Sequence, residues 1–527
     1  MRRTGPPCAP ARRSPRSWPR PPGCGAWPVT GPPSTRPWTN TSNEENTVRL
    51  VWFRNDLRCH GHTPLTQALA GGEPVLAVHV LCPDQWDAHD VAPLRRWYVL
   101  ESLIELGEAL AAKGVDLHVL DGGDFHGAVD ALADFVAEHG VTEIFCNREY
   151  PLNELNRDRA VARRLEERGV RLHGFDDGVL VPPRALSTGK DTPYTVFTAY
   201  KKRWDAWMDE VDPGAVPAPA WPGGEGRFHG RDRVEALRDG LGLDAALTRP
   251  WRPGESAAYK QLYDFVEHHL GDYKAYRDFP SEPATSTLST ALSAGTLAPL
   301  DAYLAARRAM GDAAAREGAA TWIGELAWRD FYRQIMHRFP SLAKGKPFRP
   351  ETRLLAWNDN DEHFQAWCEG RTGYPLVDAA MRQLVTTGWM HNRLRMLTAM
   401  FLTKHLFIDW RKGERFFMRH LIDGDFASNN GGWQWSASTG TDAAPYFRVF
   451  SPLRQSHRFD PHGRFIARYV PELAELDDKT IHEPGKQPLL CPDYPAPIVA
   501  HQGVKQRVEQ AFRQARDAWR QQQEGGQ

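Results

Sequence analysis

Four short runs of β-branched and aliphatic residues alternate with helical stretches early in the chain, and this alternation constrains the fold most. The helical stretches 94–113 and 128–139 are each followed by a glycine, the usual C-terminal stop of a helix. Strands separated by helices at this spacing favour a doubly wound parallel sheet. No GxGxxG motif follows the first run, so a dinucleotide site there is not supported. The four runs are VRLVWF (48–53), VLAVHV (75–80), VDLHVL (115–120) and EIFCN (143–147).

The rest of the chain has a different character, because strand-like runs almost vanish after residue 256 and helical periodicity continues to about residue 475. A length of 527 residues suits two domains. The predicted fold class is therefore an α/β domain followed by an all-α domain. Residues 1–47 are rich in Pro, Arg and Ser with few aliphatics, which predicts a disordered extension rather than a targeting signal. The remaining expected parts are an α/β domain at 48–183, a connector at 184–255, a helical domain at 256–475 and a tail at 476–527.

The composition is that of an ordinary globular protein, with 41% hydrophobic residues, 25% charged residues and a net charge of −1. This charge excludes a strongly basic DNA-coating protein but not a local basic groove. No apolar run approaches the ~18 residues that span a bilayer, so no membrane partner is expected. The seven cysteines include no CxxC pair, which favours a reducing, cytoplasmic setting and gives no sign of a metal site. We expect a monomer.

Packing alone does not explain the polar and aromatic residues of four segments in the helical region. TSTLS (285–289) offers hydroxyls and amides suited to phosphate oxygens at a helix N-terminus. WIGELAWRDFYR (322–333) has helical spacing, and GWMHNRLRM (388–396), if helical, places its Asn and Met on one face. The segment 421–452 is predicted as a loop around a Gly-Gly pair, which lets the backbone approach a ligand closely.

Each of these features also has an ordinary structural explanation. A single Trp on a helix is usually a core residue, and Asp423 and Asp425 can be helix caps. Arg393 and Arg395 can be solvated surface charges, and the segment 285–289 alone is a weak phosphate signal. The combination nevertheless suits a large aromatic cofactor with phosphate groups, and no hydrolytic triad or metal set competes with it.

Two long segments resemble the cryptochrome/photolyase family. They are NNGGWQWSASTGTDAAPYFRVFSP (429–452) and TGYPLVDAAMRQLVTTGWMHNRLRM (372–396). VWFRNDLR (51–58) resembles the start of that family's sheet domain, and the likeness extends from about residue 48 to about residue 500. Within the family, the chain is most similar to the class I cyclobutane pyrimidine dimer photolyases.

The resemblance implies FAD inside the helical domain. Asn429 would face the reducible nitrogen of the flavin ring, where a neutral amide avoids a negative charge beside the reduced ring. The residues that match contacts to the phosphate and ribitol parts of FAD are Tyr273, Thr285, Ser286, Thr287, Leu288 and Ser289. The residues that complete the pocket are Trp322, Arg329, Asn392, Arg395, Asp423, Asp425 and Asn429.

The resemblance also implies repair of cyclobutane dimers in UV-damaged DNA by light-driven electron transfer to a flipped-out dimer, with no general base. Glu325 would hydrogen-bond the edge of the lesion. The other residues that match DNA or lesion contacts are Arg277, Trp328, Asn392, Arg393, Met396 and Trp435. Trp357, Trp410 and Trp433 match the family's tryptophan relay, with Trp433 nearest the flavin.

A few positions distinguish the sub-families. Photolyases that act on (6-4) photoproducts resemble this chain but have histidines in place of Asn392 and Met396. DASH cryptochromes tend to have Tyr in place of Trp328 and Trp435, and plant cryptochromes carry Asp in place of Asn429. These residues favour a dimer photolyase, and a blue-light signalling cryptochrome with little or no repair activity is the alternative.

The sheet domain is expected to hold an antenna pigment that transfers excitation energy. His89, Asn153, Glu154 and Lys344 match methenyltetrahydrofolate contacts in folate-type relatives. Ala343 departs from the pattern, because some of those relatives have Cys there. Since the polar contacts persist, we favour the folate over a deazaflavin.

Overall fold

The N-terminal part of the chain forms one parallel sheet of six strands in the order β5-β4-β1-β2-β3-β6. The computed structural model describes residues 47–524, so the extension expected at 1–47 lies, apart from its last residue, outside the described residues. The strands are β1 (Val48–Phe53), β2 (Val75–Leu81), β3 (Asp116–Asp121), β4 (Val141–Asn147), β5 (Arg171–Phe175) and β6 (Phe228–His229).

Helices cover both faces of this sheet. Leu50 and Trp52 of β1 pack in a cluster with Leu132 and Val161, whereas the alternate residues of β1 pack with Leu103 in a second cluster. This two-sided burial confirms the predicted doubly wound arrangement. The helices of this part are α1 (Thr63–Leu69), α2 (Pro83–Ala88), α3 (Pro93–Ala111), α4 (Phe125–Glu138) and α5 (Leu152–Glu166).

The four predicted strands are present, each within about two residues of its predicted bounds, but β5 and β6 were not predicted. β5 has the sequence RLHGF, in which no residue is fully buried, and β6 contains only two residues. Neither strand shows the apolar run that predicts a buried strand, because both lie at edges of the sheet.

The segment 184–255, expected to be a connector, contains α6 (Phe197–Val211), α7 (Arg231–Asp239) and α8 (Ala245–Thr248) in addition to β6. Trp204 of α6 is fully buried, and its indole nitrogen donates to Asp330 Oδ2 at 3.0 Å. The segment thus packs against the helical part of the chain at one end and extends the sheet at the other.

The C-terminal part is helical throughout, with two large apolar clusters and a π-helix at Phe401–Leu406. Among residues 47–524, no helix combines the length and apolar character needed to cross a membrane. The helices are α9 (Glu255–His268), α10 (Tyr273–Tyr276), α11 (Ser289–Ala294), α12 (Pro299–Ala309), α13 (Arg316–Arg338), α14 (Asp361–Cys368), α15 (Pro375–Thr387), α16 (Asn392–Met400), α17 (Trp410–His420), α18 (Phe426–Ala437), α19 (Pro452–Phe459), α20 (Arg464–Tyr469) and α21 (Val504–Glu524).

The loop predicted around the Gly-Gly pair is wrong, because residues 426–437 form helix α18. The Asp425 carboxylate caps its N-terminus by accepting from the Ser428 amide. A Cβ on Gly431 would lie 2.1 Å from the ring of Tyr332, so the first glycine lets α18 pack closely on α13. Gly431 therefore serves helix packing rather than a loop.

The sheet packs directly on the helical part through the loop that follows β1. Gly295 has a φ of +75°, and a Cβ there would lie 2.0 Å from the carbonyl oxygen of Asn55. Arg58 is fully buried and donates to the Gly295 carbonyl at 2.9 Å. This contact holds the carboxyl edge of the sheet against the end of α11.

Candidate active site

The segment 285–289 is held by two side chains from neighbouring helices. Gln261 of α9 donates to the Ser286 carbonyl at 2.7 Å and to Thr287 Oγ1 at 2.6 Å. The indole nitrogen of Trp322 donates to Ser286 Oγ at 3.3 Å. Thr287 has a φ of 49°, in the left-handed region. The predicted phosphate segment is therefore fixed in an unusual backbone shape just before α11.

Two carboxylates expected in the cofactor pocket are each paired with an arginine. Asp423 accepts from Arg395 Nη2 at 3.1 and 2.8 Å through its two oxygens. Asp425 accepts from Arg333 at 2.9 Å. Burial opposes ionisation of Asp425, but the positive charges of Arg333 and Arg329 outweigh it and lower the pKa of that carboxyl well below its usual range. Both carboxylates are thus oriented by arginines, and Asp425 is held in its charged form.

Arg329 binds two backbone carbonyls rather than a carboxylate. It donates to Gly178 at 2.6 Å and to Leu292 at 3.0 Å. Burial, together with repulsion by Arg333, lowers the pKa of Arg329 to about 9. Its positive charge therefore lacks a direct anionic partner among residues 47–524, which suits an anionic ligand group.

Asn429 is anchored by the helix next to its own. Its amide nitrogen donates to the backbone carbonyl of Glu414 at 3.0 Å, and Asn430 donates to Glu414 Oε1 at 2.9 Å. Burial is the main cause that raises the pKa of Glu414 to about 7. The carboxamide oxygen of Asn429 has no hydrogen bond to any of residues 47–524, so it can accept one from a ligand.

The residues expected to contact DNA or the lesion fall into two groups. Arg277 forms an ion pair with Glu325 at 2.5 Å, and Arg393 forms one with Asp278 at 2.7 Å. Met396 lies beside Arg393, with Sδ 3.9 Å from its guanidinium. The four charged residues form one group, because Arg277 and Asp278 are neighbours in the chain, and Met396 lies beside this group.

The tryptophans of the expected lesion pocket belong to different clusters. Trp328 stacks on Phe197, with ring centroids 3.6 Å apart and an angle of 8° between the planes. Trp435 packs against the C-terminal apolar cluster, and Asn392 is exposed at the start of α16. Trp328 and Trp435 are both half-buried, so each keeps a ring surface that a ligand can contact.

The three tryptophans of the expected relay differ in burial. Trp357 lies 4.9 Å from the ring of Phe407 and is half-buried. Trp410 is buried at the first position of α17. Trp433 is buried and packs on α17, since a Cβ on Gly413 would lie 2.1 Å from its ring. Trp433 therefore lies at the contact of α18 with α17, the helix that begins with Trp410.

A cavity of about 670 Å³ opens between the carboxyl edge of the sheet and the helical part. All four expected antenna residues line it, and Asn153 lies 3.1 Å from the His89 ring nitrogen. Burial, with the nearby Glu149 carboxylate, raises the pKa of Glu154 to about 7. Of the expected FAD residues, only Arg329 and Asp425 line this cavity.

Two family models match the chain. One is described as DNA photolyase and matches residues 49–222, and the other, described as the FAD binding domain of DNA photolyase, matches residues 322–514. The chain is 43% identical to the deoxyribodipyrimidine photo-lyase of Escherichia coli (strain K12), over 89% of this chain and 99% of that protein. It is 42% identical to the deoxyribodipyrimidine photo-lyase of Vibrio cholerae, over 89% of this chain and all of that protein.

The chain belongs to the DNA photolyase family.

Solved structures agree with this membership. The class III photolyase of Agrobacterium tumefaciens superposes with a TM-score of 0.80 at 33% identity, covering 90% of this chain and 99% of that one. The cryptochrome of Synechocystis superposes with a TM-score of 0.76 at 28% identity, covering 89% and 100%. Photolyases and a cryptochrome thus share this fold, so the fold alone does not separate repair from signalling.

The helical part of this photolyase-family chain is an FAD-binding domain, and its residues suit that cofactor. Hydroxyls at 285–289 and the cation of Arg329 suit phosphate groups, and the free carboxamide oxygen of Asn429 suits a ring N–H. Arg395 donates to both oxygens of Asp423, and the remaining lone pairs of that carboxylate can accept from a hydroxyl of the cofactor.

Several residues at this photolyase site were missed by the sequence analysis. Their contacts are with residues distant in sequence. Arg333 donates a hydrogen bond to Asp425, and Asn430 donates one to Glu414. The sequence carries no local signal for them, because each role is defined by a contact made in the folded chain. The missed residues are Gln261, Asp278, Arg333, Glu414 and Asn430.

Proposed function

We propose that this chain repairs cyclobutane pyrimidine dimers in DNA in a light-dependent reaction, as a carbon–carbon lyase. The observation that carries the proposal is the 43% identity to a deoxyribodipyrimidine photo-lyase over 99% of that relative's length. Reduced FAD, when bound and excited by light, supplies the single electron that splits the cyclobutane ring and takes it back afterwards. The protein therefore has to bind, orient and shield the reactants rather than supply an acid or base.

FAD would be held by the segment 285–289, by Tyr273 and Trp322, and by the polar residues of the helical domain named below. Arg329 would bind a phosphate oxygen, because its nearest partners are neutral carbonyls. Asn429 would accept a hydrogen bond from the flavin ring through its free carboxamide oxygen. Arg395, Asp423, Asp425 and Asn392 would complete the pocket.

The lesion would enter beside the charged group of Arg277, Glu325 and Arg393. A flipped-out dimer loses its stacking partners, and the open faces of Trp328 and Trp435 would replace them, at roughly 1–3 kcal/mol per base. Glu325 would hydrogen-bond the pyrimidine edge, and Asn392 and Met396 would line the pocket. The ion pairs of Arg277 and Arg393 would have to open or be shared when DNA phosphates arrive.

The antenna pigment would occupy the cavity at the carboxyl edge of the sheet, and we propose methenyltetrahydrofolate in preference to a deazaflavin. The polar groups of His89, Asn153, Glu154 and Lys344 line that cavity. A protonated Glu154 could donate to a pterin-like ring near neutral pH, since its pKa is about 7. The antenna differs among relatives: a photolyase of Sulfolobus tokodaii, 32% identical with a TM-score of 0.74, contains two FAD molecules.

The experiment that tests the proposal is a comparison of lesions under blue light. Chemically reduced protein is mixed with oligonucleotides that carry a cyclobutane thymine dimer or a (6-4) photoproduct, and intact thymine is measured by chromatography. We expect recovery of thymine from the cyclobutane dimer alone. Repair of the (6-4) lesion instead would contradict the assignment made from Asn392 and Met396.

Signalling by a cryptochrome is the second candidate, and the structural likeness to the Synechocystis cryptochrome is the observation that favours it. A signalling protein of this fold should bind FAD and respond to light, yet leave the dimer intact. The same assay separates the two functions.

A further inference from the structure

A cluster of histidines lies at the amino end of the sheet, opposite the edge that lines the cavity. His118 of β3 is the register partner of His229 of β6, so both side chains leave the same face of the sheet. Asp116 precedes His118 by two residues and shares that face. The potential ligand atoms of these three residues all lie within 4.8 Å of one another. We propose that this cluster binds one divalent transition metal ion of the zinc class.

The carboxylate of Asp116 is oriented for this role. One oxygen, Oδ1, accepts from the backbone amide of Arg227 at 2.7 Å. The other, Oδ2, faces His229 Nε2 at 3.5 Å, too far for a good hydrogen bond. A ligating carboxylate is commonly fixed in this way, with one oxygen held by a neighbouring donor and the other left for the ion.

The two histidine rings are stacked on each other without using their nitrogens. The ring centroids of His118 and His229 are 4.2 Å apart, with 16° between the planes. Within residues 47–524, neither ring takes part in a hydrogen bond. Stacked imidazoles at a half-exposed site, with no hydrogen bond to their ring nitrogens, leave a lone pair that an ion can use.

A third imidazole from α4 lies next to the pair. The ring of His139 is edge-on to that of His118, with centroids 5.3 Å apart. Its Nδ1 donates to the Phe135 carbonyl at 3.0 Å, since a carbonyl can only accept. The lone pair of His139 is therefore on Nε2, the tautomer that a metal-binding histidine needs. His139 lies outside the group of ligand atoms within 4.8 Å of one another, so it becomes a fourth ligand only if its ring moves toward the ion.

The donor set selects the class of ion. Two or three imidazoles with one carboxylate and no thiolate suit Zn²⁺, Ni²⁺ or Cu²⁺, whereas Ca²⁺ and Mg²⁺ take oxygen ligands. Bonds of about 2.0 Å in a tetrahedral zinc site place the ligand atoms about 3.3 Å apart. The rings must therefore rotate slightly on binding, and the half-exposed side chains of His229 and Asp116, 40% and 35% exposed, leave room for that.

The ion would have a structural rather than a catalytic role. It would join β3 to β6, which is a two-residue strand in the long segment between the sheet and the helical domain. The preceding residues 213–226 contain no helix or strand, so β6 is the point where this segment is attached to the sheet. Binding should protect the segment from proteolysis.

The test is a calorimetric titration of the FAD-containing full chain with Zn²⁺ after treatment with EDTA. We expect one equivalent to bind with a Kd below about 10 μM, corresponding to a free energy of about −7 kcal/mol. His229→Gln and His118→Gln should each weaken binding by about tenfold or more. His126→Gln, which changes an exposed histidine of α4, is the matched control and should bind as the parent does.

Limited trypsin digestion gives a second readout. Zn²⁺ should slow cleavage within 211–231 in the parent and in His126→Gln, but not in His229→Gln. If His118→Gln fails to fold, Asp116→Asn and His229→Gln still test the site, because both change half-exposed side chains. Absence of a bound equivalent in the parent, or equal affinity in the parent and both ligand variants, would overturn the proposal. His229→Gln should still repair cyclobutane dimers. The test of the metal site is therefore independent of the test of the proposed repair function.

Discussion

At the scale of single residues, the site depends on polar groups whose protonation the surrounding protein controls. Glu414 holds Asn429 through its backbone and Asn430 through its side chain. Since burial raises its pKa from 4.5 to about 7, the folded protein keeps a proton on Glu414 that the unfolded chain has already lost. The free energy of unfolding therefore falls as the pH rises from about 4.5 to about 7.

Glu414→Gln should remove this pH dependence while preserving an oxygen acceptor for Asn430. Between pH 5 and pH 8, the variant should lose less stability than the parent, by roughly 1–3 kcal/mol. Urea unfolding of the FAD-containing protein at the two pH values measures this difference. A parent-to-variant difference that is equal at both pH values would contradict the raised pKa.

Trp433→Phe should abolish or greatly slow light-driven reduction of the bound flavin by an external donor. Indole is the most easily oxidised of the aromatic side chains, and the replacement keeps most of the apolar volume, so stability should change little. Flavin absorbance during illumination is the measurement. Repair after chemical reduction should persist, because the repair electron starts on the flavin and returns to it.

Trp367→Phe is the matched control for this experiment. Trp367 is fully buried and lies 6.0 Å from the Trp433 ring, but it is not one of the three relay positions. Its replacement should leave photoreduction near the parent rate. Unimpaired photoreduction in Trp433→Phe would disprove the relay assignment, and lost repair after full chemical reduction would place Trp433 at the lesion site.

At the scale of elements, α17 packs closely on α18, with Gly413 against the Trp433 ring and Glu414 bonded to Asn429. Gly413→Ala should destabilise the protein by about 1–3 kcal/mol, because the new methyl group would overlap the Trp433 ring. Gly324→Ala on α13 is the control, since a Cβ there meets no atom within 4 Å and the substitution favours helix. Thermal unfolding of both variants measures the difference, and equal midpoints would contradict the close packing.

Elements with a strong periodic pattern could be predicted from the sequence, and those defined by long-range contacts could not. The first four strands are buried apolar runs, and α13 and α16 follow their predicted spacing. β6 forms only because Phe228 and His229 pair with β3, more than 100 residues earlier. The Gly-Gly pair was interpreted as a loop because its packing partner, Tyr332, is remote in sequence. The candidate site residues were assigned through resemblance and stay predictions, whereas their contacts with Arg333, Gln261 and Glu414 required the three-dimensional structure.

At the scale of the whole molecule, a net charge of −1 requires that DNA binding depend on local arginines. Arg393→Ala should weaken binding to damaged and undamaged DNA alike, and should reduce the slope of log K against log salt by about one phosphate contact. Arg231→Ala, which removes an arginine of α7 paired with Glu108 and Glu235, is the control and should leave the slope unchanged. Filter binding at several salt concentrations gives the slopes. Equal slopes for the parent and Arg393→Ala would show that Arg393 serves only its ion pair with Asp278.

The measurement that tests the central claim most directly is the loss of cyclobutane dimers in light and in darkness. Fully reduced protein is bound to an oligonucleotide with one thymine dimer and divided into illuminated and dark samples, and dimer content is followed by absorbance near 260 nm. We expect complete repair in the illuminated sample and none in the dark, with the flavin still reduced at the end because the electron returns to it. Dimers that persist under illumination, although the flavin is reduced and the DNA is bound, would contradict the repair function and favour signalling.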